Sequence, residues 1–325
     1  KKIDFEVREI SVTDLGRGFF ETLSNLAPVG RISEEHDNAK KVLQEITSNP
    51  FHKIFVAVKN DGEIVGSTTV LIEQKFIHNG GRVAHTQDLA TKKGYEGMGI
   101  ATAVVGRSLR FARQMKCYKV IVECADENVP FHEKFGFKKR NISISNRLAM
   151  QRALVEPGPG KFKASKKIDF EVREISVTDL GRGFFETLSN LAPVGRINEE
   201  HENAKKVLHE ITSNPFHKIF VAVKNDGEIV GSTTVLIEQK FIRNGGRVAH
   251  HEDTATKKGY EGMGIATAVV GRAFRFARQM KCYEVIGECT EKTVPFWEKF
   301  GYKKYQISMR YDRYFKDALQ NVFEV

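Results

Sequence analysis

The nine residues Lys93-Gly94-Tyr95-Glu96-Gly97-Met98-Gly99-Ile100-Ala101 have the plainest chemical use in the chain. They follow an extended run, 82–91, and open an amphipathic run, 102–115. Gly97 and Gly99 let backbone approach a ligand closely. The first N–H groups of the helix that follows are unpaired and carry the positive end of its dipole. Such a turn can hold a pyrophosphate. The same nine residues return as Lys258 to Ala266. No Gly-Lys-Ser/Thr follows, so this is not a Walker loop. The chain before it does not read as a βαβ unit, so the dinucleotide fingerprint fits poorly. Gly pairs at strand–helix junctions also serve as plain tight turns, and the loop alone leaves both readings open.

The strand before each loop carries acids. One reads His85-Thr86-Gln87-Asp88, the other His250-His251-Glu252-Asp253. Acids in a mostly apolar strand suit the holding of an amine; the plain alternative is a structural acid. Strict alternation along a strand puts His85 and His250 on the face opposite Asp88 and Asp253, where packing is expected. It puts His251 on the face of Asp253. With His132, His251 could serve as a new base, and a tolerated substitution is the alternative. Cys117, Cys124, Cys282 and Cys289 form one C-x6-C spacing read twice. That is not a zinc spacing, and buried thiols are expected, with no metal site.

These residues sit in a unit written twice. Lys1-Lys2-Ile3-Asp4-Phe5 recurs as Lys166 to Phe170, and the match runs without a gap to about Leu148. The expected organisation is copy one at 1–148, a helical extension and Pro/Gly linker at 149–165, and copy two at 166–325. Up to Val83 the copies differ at few positions, among them Ser33/Asn198 and His78/Arg243. From Thr86 they differ often: Thr86/His251, Gln87/Glu252, Leu89/Thr254, Leu109/Phe274, Val122/Gly287, Asn128/Thr293, His132/Trp297 and Arg140/Tyr305. Neutral drift should not spare one half of a unit. The pattern points to a duplicated, engineered gene whose copies were changed around a pocket, one chain tying together two halves that otherwise dimerise.

Within a copy, strands are predicted at 5–10, 52–58, 63–74, 82–91, 118–124 and 138–145. Helices are predicted at 12–26, from an N-cap at Ser33 to Thr47, at 102–115 and at 129–135. Asn60-Asp61-Gly62 joins the second and third strands as a hairpin. The order is β-α-α-β-β-β-α-β-α-β, an α/β class.

Composition excludes several functions. At 325 residues and 41% apolar content, two packed domains are expected. No apolar run approaches the roughly 18 residues of a membrane span. The start of the sequence does not read as a signal peptide, and a cytoplasmic location is expected. The net charge of +10 is spread and mixed with acids. It suits a small polyanionic ligand better than nucleic acid, and no nucleic-acid or membrane partner is expected.

The element order, with a Gly loop after the fourth strand, resembles the Gcn5-related N-acetyltransferase superfamily. Four local words narrow it: Glu73-Gln74-Lys75-Phe76-Ile77-His78, His85-x-x-Asp88, Cys117-Tyr118-Lys119-Val120-Ile121, and Glu127-Asn128-Val129-Pro130-Phe131-x-Glu133-Lys134-Phe135-Gly136-Phe137. They are similar to the glucosamine-6-phosphate N-acetyltransferase family over nearly the whole of each copy. The resemblance implies two tandem N-acetyltransferase-type domains, each a twisted mixed sheet with flanking helices, packed as a pseudo-dimer in a monomeric chain. It implies acetyl-CoA as co-substrate and a small-molecule amine, by default glucosamine 6-phosphate, as acceptor. The CoA pyrophosphate falls to the backbone of Gly97, Met98, Gly99, Ile100 and Ala101, and of Gly262, Met263, Gly264, Ile265 and Ala266. Asn128 lies beside the CoA arm, and Lys75 and Lys240 near the sugar phosphate.

The sequence departs from the family at several of these places. The loop opens with Glu96 and Glu261 in place of Gln or Arg, so those carboxylates are expected to point away from a pyrophosphate. The family's Glu-Asp acceptor pair is Gln87-Asp88 in copy one and Glu252-Asp253 in copy two. The first-loop Thr is Ala27 and Ala192. The family's Tyr beside the leaving thiolate is His132 and Trp297, and Asn128 is Thr293 in copy two. The resemblance therefore implies an acyltransferase whose activity on the family acceptor is reduced. The rival reading is a repurposed scaffold with a different ligand or reaction.

Overall fold

The computed structural model describes residues 3–147 and 168–312. The expected helical extension and linker, 149–165, lie outside the described residues.

Copy one runs β1 (Phe5–Glu9), α1 (Phe19–Ser24), α2 (His36–Ser48), β2 (His52–Lys59), β3 (Ile64–Gln74), the single turn α3 (Ile77–Gly80), β4 (Arg82–Thr91), α4 (Ile100–Gln114), β5 (Cys117–Cys124), α5 (Val129–Glu133) and β6 (Lys138–Arg147). Copy two repeats it as β7 (Phe170–Glu174), α6 (Phe184–Ser189), α7 (His201–Thr212), β8 (His217–Lys224), β9 (Ile229–Gln239), α8 (Ile242–Gly245), β10 (Arg247–Thr256), α9 (Ile265–Gln279), β11 (Cys282–Cys289), α10 (Val294–Glu298) and β12 (Lys303–Asp312). The strand periodicity reads through into the structure at all six positions of each copy.

Two helix expectations need correction. The helix predicted over 12–26 is broken: Val12–Gly16 is a 3-10 turn, and Gly18, at φ 89°, turns the chain before α1. Ser33 is not an N-cap. It closes a 3-10 turn, its hydroxyl donating to Gly30 O at 2.9 Å, and α2 starts only at His36. The competing use of Ser33 is local: a short polar side chain that bonds a carbonyl three residues back favours a turn over a helix.

All twelve strands form one sheet in the order β1-β2-β3-β4-β5-β12-β6-β11-β10-β9-β8-β7. The last strands are exchanged. β12 of copy two lies antiparallel against β5 of copy one, β6 lies against β11, and β6 and β12 pair with each other at the centre. Met309 is fully buried in the copy-one core with Phe135 and Phe137, while Ile144 enters the copy-two core with Phe300 and Tyr302. Neither core is complete without a strand of the other copy.

A second exchange involves the turns after β3 and β9. Phe76 packs edge-on to Phe184 at 5.2 Å, and Phe241 does the same to Phe19. Each buried Phe stabilises the joint by about 1.5–3 kcal/mol. His78 and Asn79, both at positive φ, aim their N–H groups at Pro193 O and Val194 O at 2.9 and 2.7 Å. Arg243 and Asn244 do the same to Pro28 O and Val29 O at 2.8 and 2.7 Å. Arg82–Glu210 and Arg247–Glu45 ion pairs close the edges of the joint. Among the described residues, no helix is long and apolar enough to cross a membrane.

Exchange on this scale predicts that the halves stay together without a covalent link. A protease site placed between Glu156 and Gly160, once cut, should leave a particle that still elutes near the intact 36.7 kDa mass and separates only in denaturant. Two free halves in native buffer would contradict the exchanged arrangement. So would a stable dimer of intact chains, because the exchanged edges would then be satisfied between chains.

Candidate active site

The Gly loops lead into α4 and α9. Gly99 caps α4 at φ 84°, a conformation any side chain would strain, and Ala103 N–H is the donor that closes the first helical turn onto Gly99 O at 3.0 Å. The N–H groups before it point out of the helix end. Nothing lies within 4 Å of a Cβ built at Gly97 or Gly99, so the backbone there faces open space. Met98 and Ile100 send their side chains into the core with Val104, leaving only their backbone toward that space. At α9, Gly264 caps the helix with nothing within 4 Å of a Cβ built there, and Met263 and Ile265 pack with Val269. Glu96 accepts a hydrogen bond from Gly94 N–H at 2.7 Å, and Glu261 accepts one from Gly259 N–H at 2.8 Å. Each carboxylate is held by its own loop.

Ahead of the loop the sheet opens. β4 and β5 pair in parallel from Arg82 to Thr86, and the pairing ends there although β4 continues to Thr91. β10 and β11 part after His251 in the same way. At the split each strand bulges: Asp88 and Asp253 take positive φ, 50° and 47°, where the register against β3 and β9 slips. A bulge of this kind re-aims side chains, and it overturns the alternation used above. His250 and Asp253 lie toward the same joint between copies, while His251 turns the other way, against Trp297 and Tyr302 of the copy-two core.

The acids meet lysines of the opposite copy. Lys75 Nζ lies 2.7 Å from Glu73, 3.2 Å from Glu252 and 3.0 Å from Asp253. Lys240 Nζ lies 2.8 Å from Glu238 and 3.0 Å from Asp88. Burial disfavours charge on Lys75, but Asp253, Glu73 and Glu252 hold its pKa well above the usual value. Burial pushes Asp88 and Asp253 upward against the pull of the lysines. His85 and His250 bond Glu73 and Glu238 at 2.9 and 2.8 Å, and their rings stand 5.0 Å apart across the joint. They belong to the ionic network rather than to apolar packing. Glu73, His85 and Glu252 bring three ligand atoms within 4.8 Å. The Lys75 ammonium already stands among their oxygens.

A cavity of about 720 Å³ joins these parts on the copy-one side. It runs from Gly97, Gly99, Ile100 and Ala101 past Thr86, Gln87 and Asp88 to Asn128 and His132. Its far wall is copy two: Lys240, Arg243, Tyr283, Glu284 and Tyr305. Glu123, partly buried, lines it as well. Burial pushes its carboxyl up to about 7, although a hydrogen bond from Ser143 at 2.7 Å opposes this. His132 is 3% exposed, and burial lowers its pKa to about 4. Cys124, also on the wall, is pushed up to about 11 by burial, which makes it a poor nucleophile.

The sequence profile of the acetyltransferase (GNAT) family matches residues 19–137 and again 184–302. The chain belongs to that family. It is 32% identical over 142 residues to glucosamine 6-phosphate N-acetyltransferase 1 of Oryza sativa subsp. japonica, which covers 43% of this chain and 85% of the relative. It is 29% identical over 143 residues to glucosamine 6-phosphate N-acetyltransferase of Arabidopsis thaliana, 43% of this chain and 95% of the relative. A tandem GNAT protein from the clavulanic acid biosynthesis pathway superposes with a TM-score of 0.52 at 14% identity, over 95% of this chain and 98% of that one, a likeness of fold alone.

In this tandem acetyltransferase the two halves are not equivalent. Trp297 packs against His251 at 5.2 Å and Tyr302 at 5.4 Å, with Phe274 against Tyr302 at 5.6 Å. His251 and Trp297, read as site residues, thus lie together in an aromatic cluster on the core side of β10. His251 is not beside His132, because His132 packs with Phe131 and Phe137 of copy one and His251 with Trp297 and Tyr302 of copy two. Thr293 spends its hydroxyl on Thr290 O at 3.1 Å.

Several residues of the site were not foreseen, among them Glu73, Glu123 and Glu238, and on the far wall Tyr283, Glu284 and Tyr305. Glu123 stands in Val120-Ile121-Val122-Glu123-Cys124, and Glu73 in Val70-Leu71-Ile72-Glu73. An acid inside an apolar strand was the available signal. Glu123 also gives a pH prediction. Its folded pKa lies above the ordinary carboxyl value of 4.5, so the folded state binds the proton more tightly than the unfolded one. The stability it contributes is full below about pH 4.5 and is lost as pH rises toward 7. Urea unfolding of Glu123→Gln should lack that decline; an unchanged slope between pH 4.5 and 7 would show that Glu123 is not the group.

Proposed function

We propose that the chain transfers the acetyl group of acetyl-CoA to the primary amine of a small phosphorylated amino sugar, with glucosamine 6-phosphate, the substrate in its relatives' names, as the default acceptor. The observation that carries this reading is the continuity of one cavity from an open anion-binding loop to a buried acid–lysine cluster.

In this reading Gly97, Met98, Gly99, Ile100 and Ala101 hold the CoA pyrophosphate through backbone N–H groups. The arm of CoA enters the gap where β4 and β5 part, beside Asn128. The acceptor amine sits before Gln87 and Asp88, and Lys240 and Arg243 face its phosphate. Glu123, with a pKa near neutrality, takes the amine proton. The amine nitrogen attacks the thioester carbon, the C–S bond breaks, and the thiolate leaves with its charge met near His132. Because burial keeps His132 neutral at pH 7, its role is to donate a hydrogen bond to sulfur, not to act as an imidazolium acid. Trp297, whose indole N–H is a donor only, has no acid role. Glu252, Asp253 and Lys75 form the matching cluster on the other side.

The rival reading, a scaffold turned to a different amine or ligand, is favoured by one pattern. The loops are identical in both copies, while the acceptor residue at 87 and the leaving-group residues at 132 and 297 are changed.

Thiol release from acetyl-CoA with glucosamine 6-phosphate tests the proposal. Turnover should be present and low. Restoring His132→Tyr and Gln87→Glu should raise it by about 100- to 10,000-fold, the range of an acid–base group. Glu123→Gln should lower kcat, and Gly99→Val should raise the KM for acetyl-CoA. Absence of acetyl-CoA binding would end the proposal. Binding without glucosamine 6-phosphate turnover in the restored chain would favour the rival reading.

A further inference from the structure

We propose that only one of the two pockets can take acetyl-CoA along its whole length: the pocket built on the copy-one loop, Gly97–Ala101. Copy two keeps the loop but has turned the path beyond it into core. This inference rests on the acetyl-CoA reading above.

The difference lies in what six matched positions do. In copy one, Thr86, Leu89, Val122 and His132 line the cavity. Thr86 and His132 are each 3% exposed. Yet Thr86 Oγ1 and His132 Nδ1 have no hydrogen-bond partner among the described residues. Two buried polar atoms left open on one cavity wall are costly unless something else meets them. An amide-bearing, sulfur-ended chain supplies acceptors and donors of that kind.

The copy-two counterparts are His251, Thr254, Gly287 and Trp297, with Phe274 and Tyr302 at the positions of Leu109 and Phe137. Here the polar atoms are met from within. His251 Nδ1 and the Tyr302 hydroxyl share a hydrogen bond at 2.7 Å. His251 Nε2 reaches Thr233 Oγ1 at 2.8 Å and Thr254 Oγ1 at 3.1 Å. The Trp297 ring closes on His251 and Tyr302. Gly287 is part of the same set, because a Cβ there would stand 2.9 Å from His251 O. Five side chains grew or gained a hydrogen bond, and one, at Gly287, shrank where it lies against His251. That is the pattern of a repacked core, not of a ligand channel. A loop that can hold a pyrophosphate remains at its outer end.

The test exchanges the two sets of side chains. Each set already exists within this fold, so both variants should fold, and circular dichroism melts check that they do. Native mass spectrometry and calorimetry with acetyl-CoA read the stoichiometry without depending on turnover. The wild-type chain should bind one acetyl-CoA. A filled copy one (Thr86→His, Leu89→Thr, Leu109→Phe, Val122→Gly, His132→Trp, Phe137→Tyr) should lose that site, its affinity falling at least tenfold. An opened copy two (His251→Thr, Thr254→Leu, Phe274→Leu, Gly287→Val, Trp297→His, Tyr302→Phe) should bind two. Two equivalents of like affinity on the wild-type chain, or an undiminished site in the filled variant, would overturn the one-channel inference and leave the acetyl-CoA reading standing. No binding to the wild type would overturn both.

Discussion

Lys75 is an ammonium with a side-chain exposure of 1%, and two of its three carboxylate partners belong to the other half of the chain. A buried charge costs several kcal/mol in lost hydration and is tolerated only when its partners are fixed at contact distance. The two halves must therefore be held in register to within a fraction of an ångström. No ordinary flat interface is needed for this. The exchanged strands put β12 and β6 side by side at the centre of one sheet, where backbone ladders set the register. The exchanged turns at Phe76 and Phe241 then pin each lysine-bearing strand end into the opposite core.

The same constraint explains why the pockets are shared and how they can differ. Each acid bulge in one copy faces a lysine of the other, so a change in copy one alters a pocket that copy two also lines. Two identical subunits would carry any such change in both pockets at once. A duplicated chain separates them. Gln87 removes one carboxylate from the Lys240 cluster, while Glu252 keeps it in the Lys75 cluster. One side retains three acids around its lysine, the other two. Thr86/His251, Gln87/Glu252 and His132/Trp297 lie at these two clusters or on the paths leading to them, while others, such as Ile144/Met309, sit in the exchanged central strands.

Much of this was legible in the sequence. The element order, the Gly loops and the duplication follow from periodicity, turn residues and repetition. Where reasoning failed, it failed for physical reasons. The strand exchange leaves no mark on periodicity, because Ile142 and Ile144 suit a partner strand of either copy equally well. The faces of His250 and His251 were inverted because alternation assumes an unbroken ladder, and one αL aspartate shifts it. Asp tolerates that conformation better than most residues, so the bulge hides behind an unremarkable acid. Ser33 was claimed by a turn three residues earlier. Glu123 was overlooked because a single acid in a strand named for its cysteines carries little signal until burial shows what it costs.

Position 132 shows how burial, more than residue type, decides chemistry. A histidine at 132 suggests an acid working near neutral pH. Behind Phe131 and Phe137, without a carboxylate to favour its charge, it is a neutral ring with its pKa lowered to about 4. Glu123, in a strand where a carboxylate would ordinarily be ionised, is held near 7 by the same loss of water. Desolvation thus moves an acid up and a base down within one cavity, and the roles follow. In the acetyl transfer proposed above, the carboxylate is then the group able to exchange a proton at physiological pH, and the neutral imidazole the hydrogen-bond donor. His251 underwent the same loss of charge with a different result. Its pKa is also lowered to about 4, but Tyr302, Thr233 and Thr254 meet both of its nitrogens. A buried histidine whose polar atoms are met by its own fold holds a core together, and one left with an open nitrogen on a cavity wall is available to a ligand.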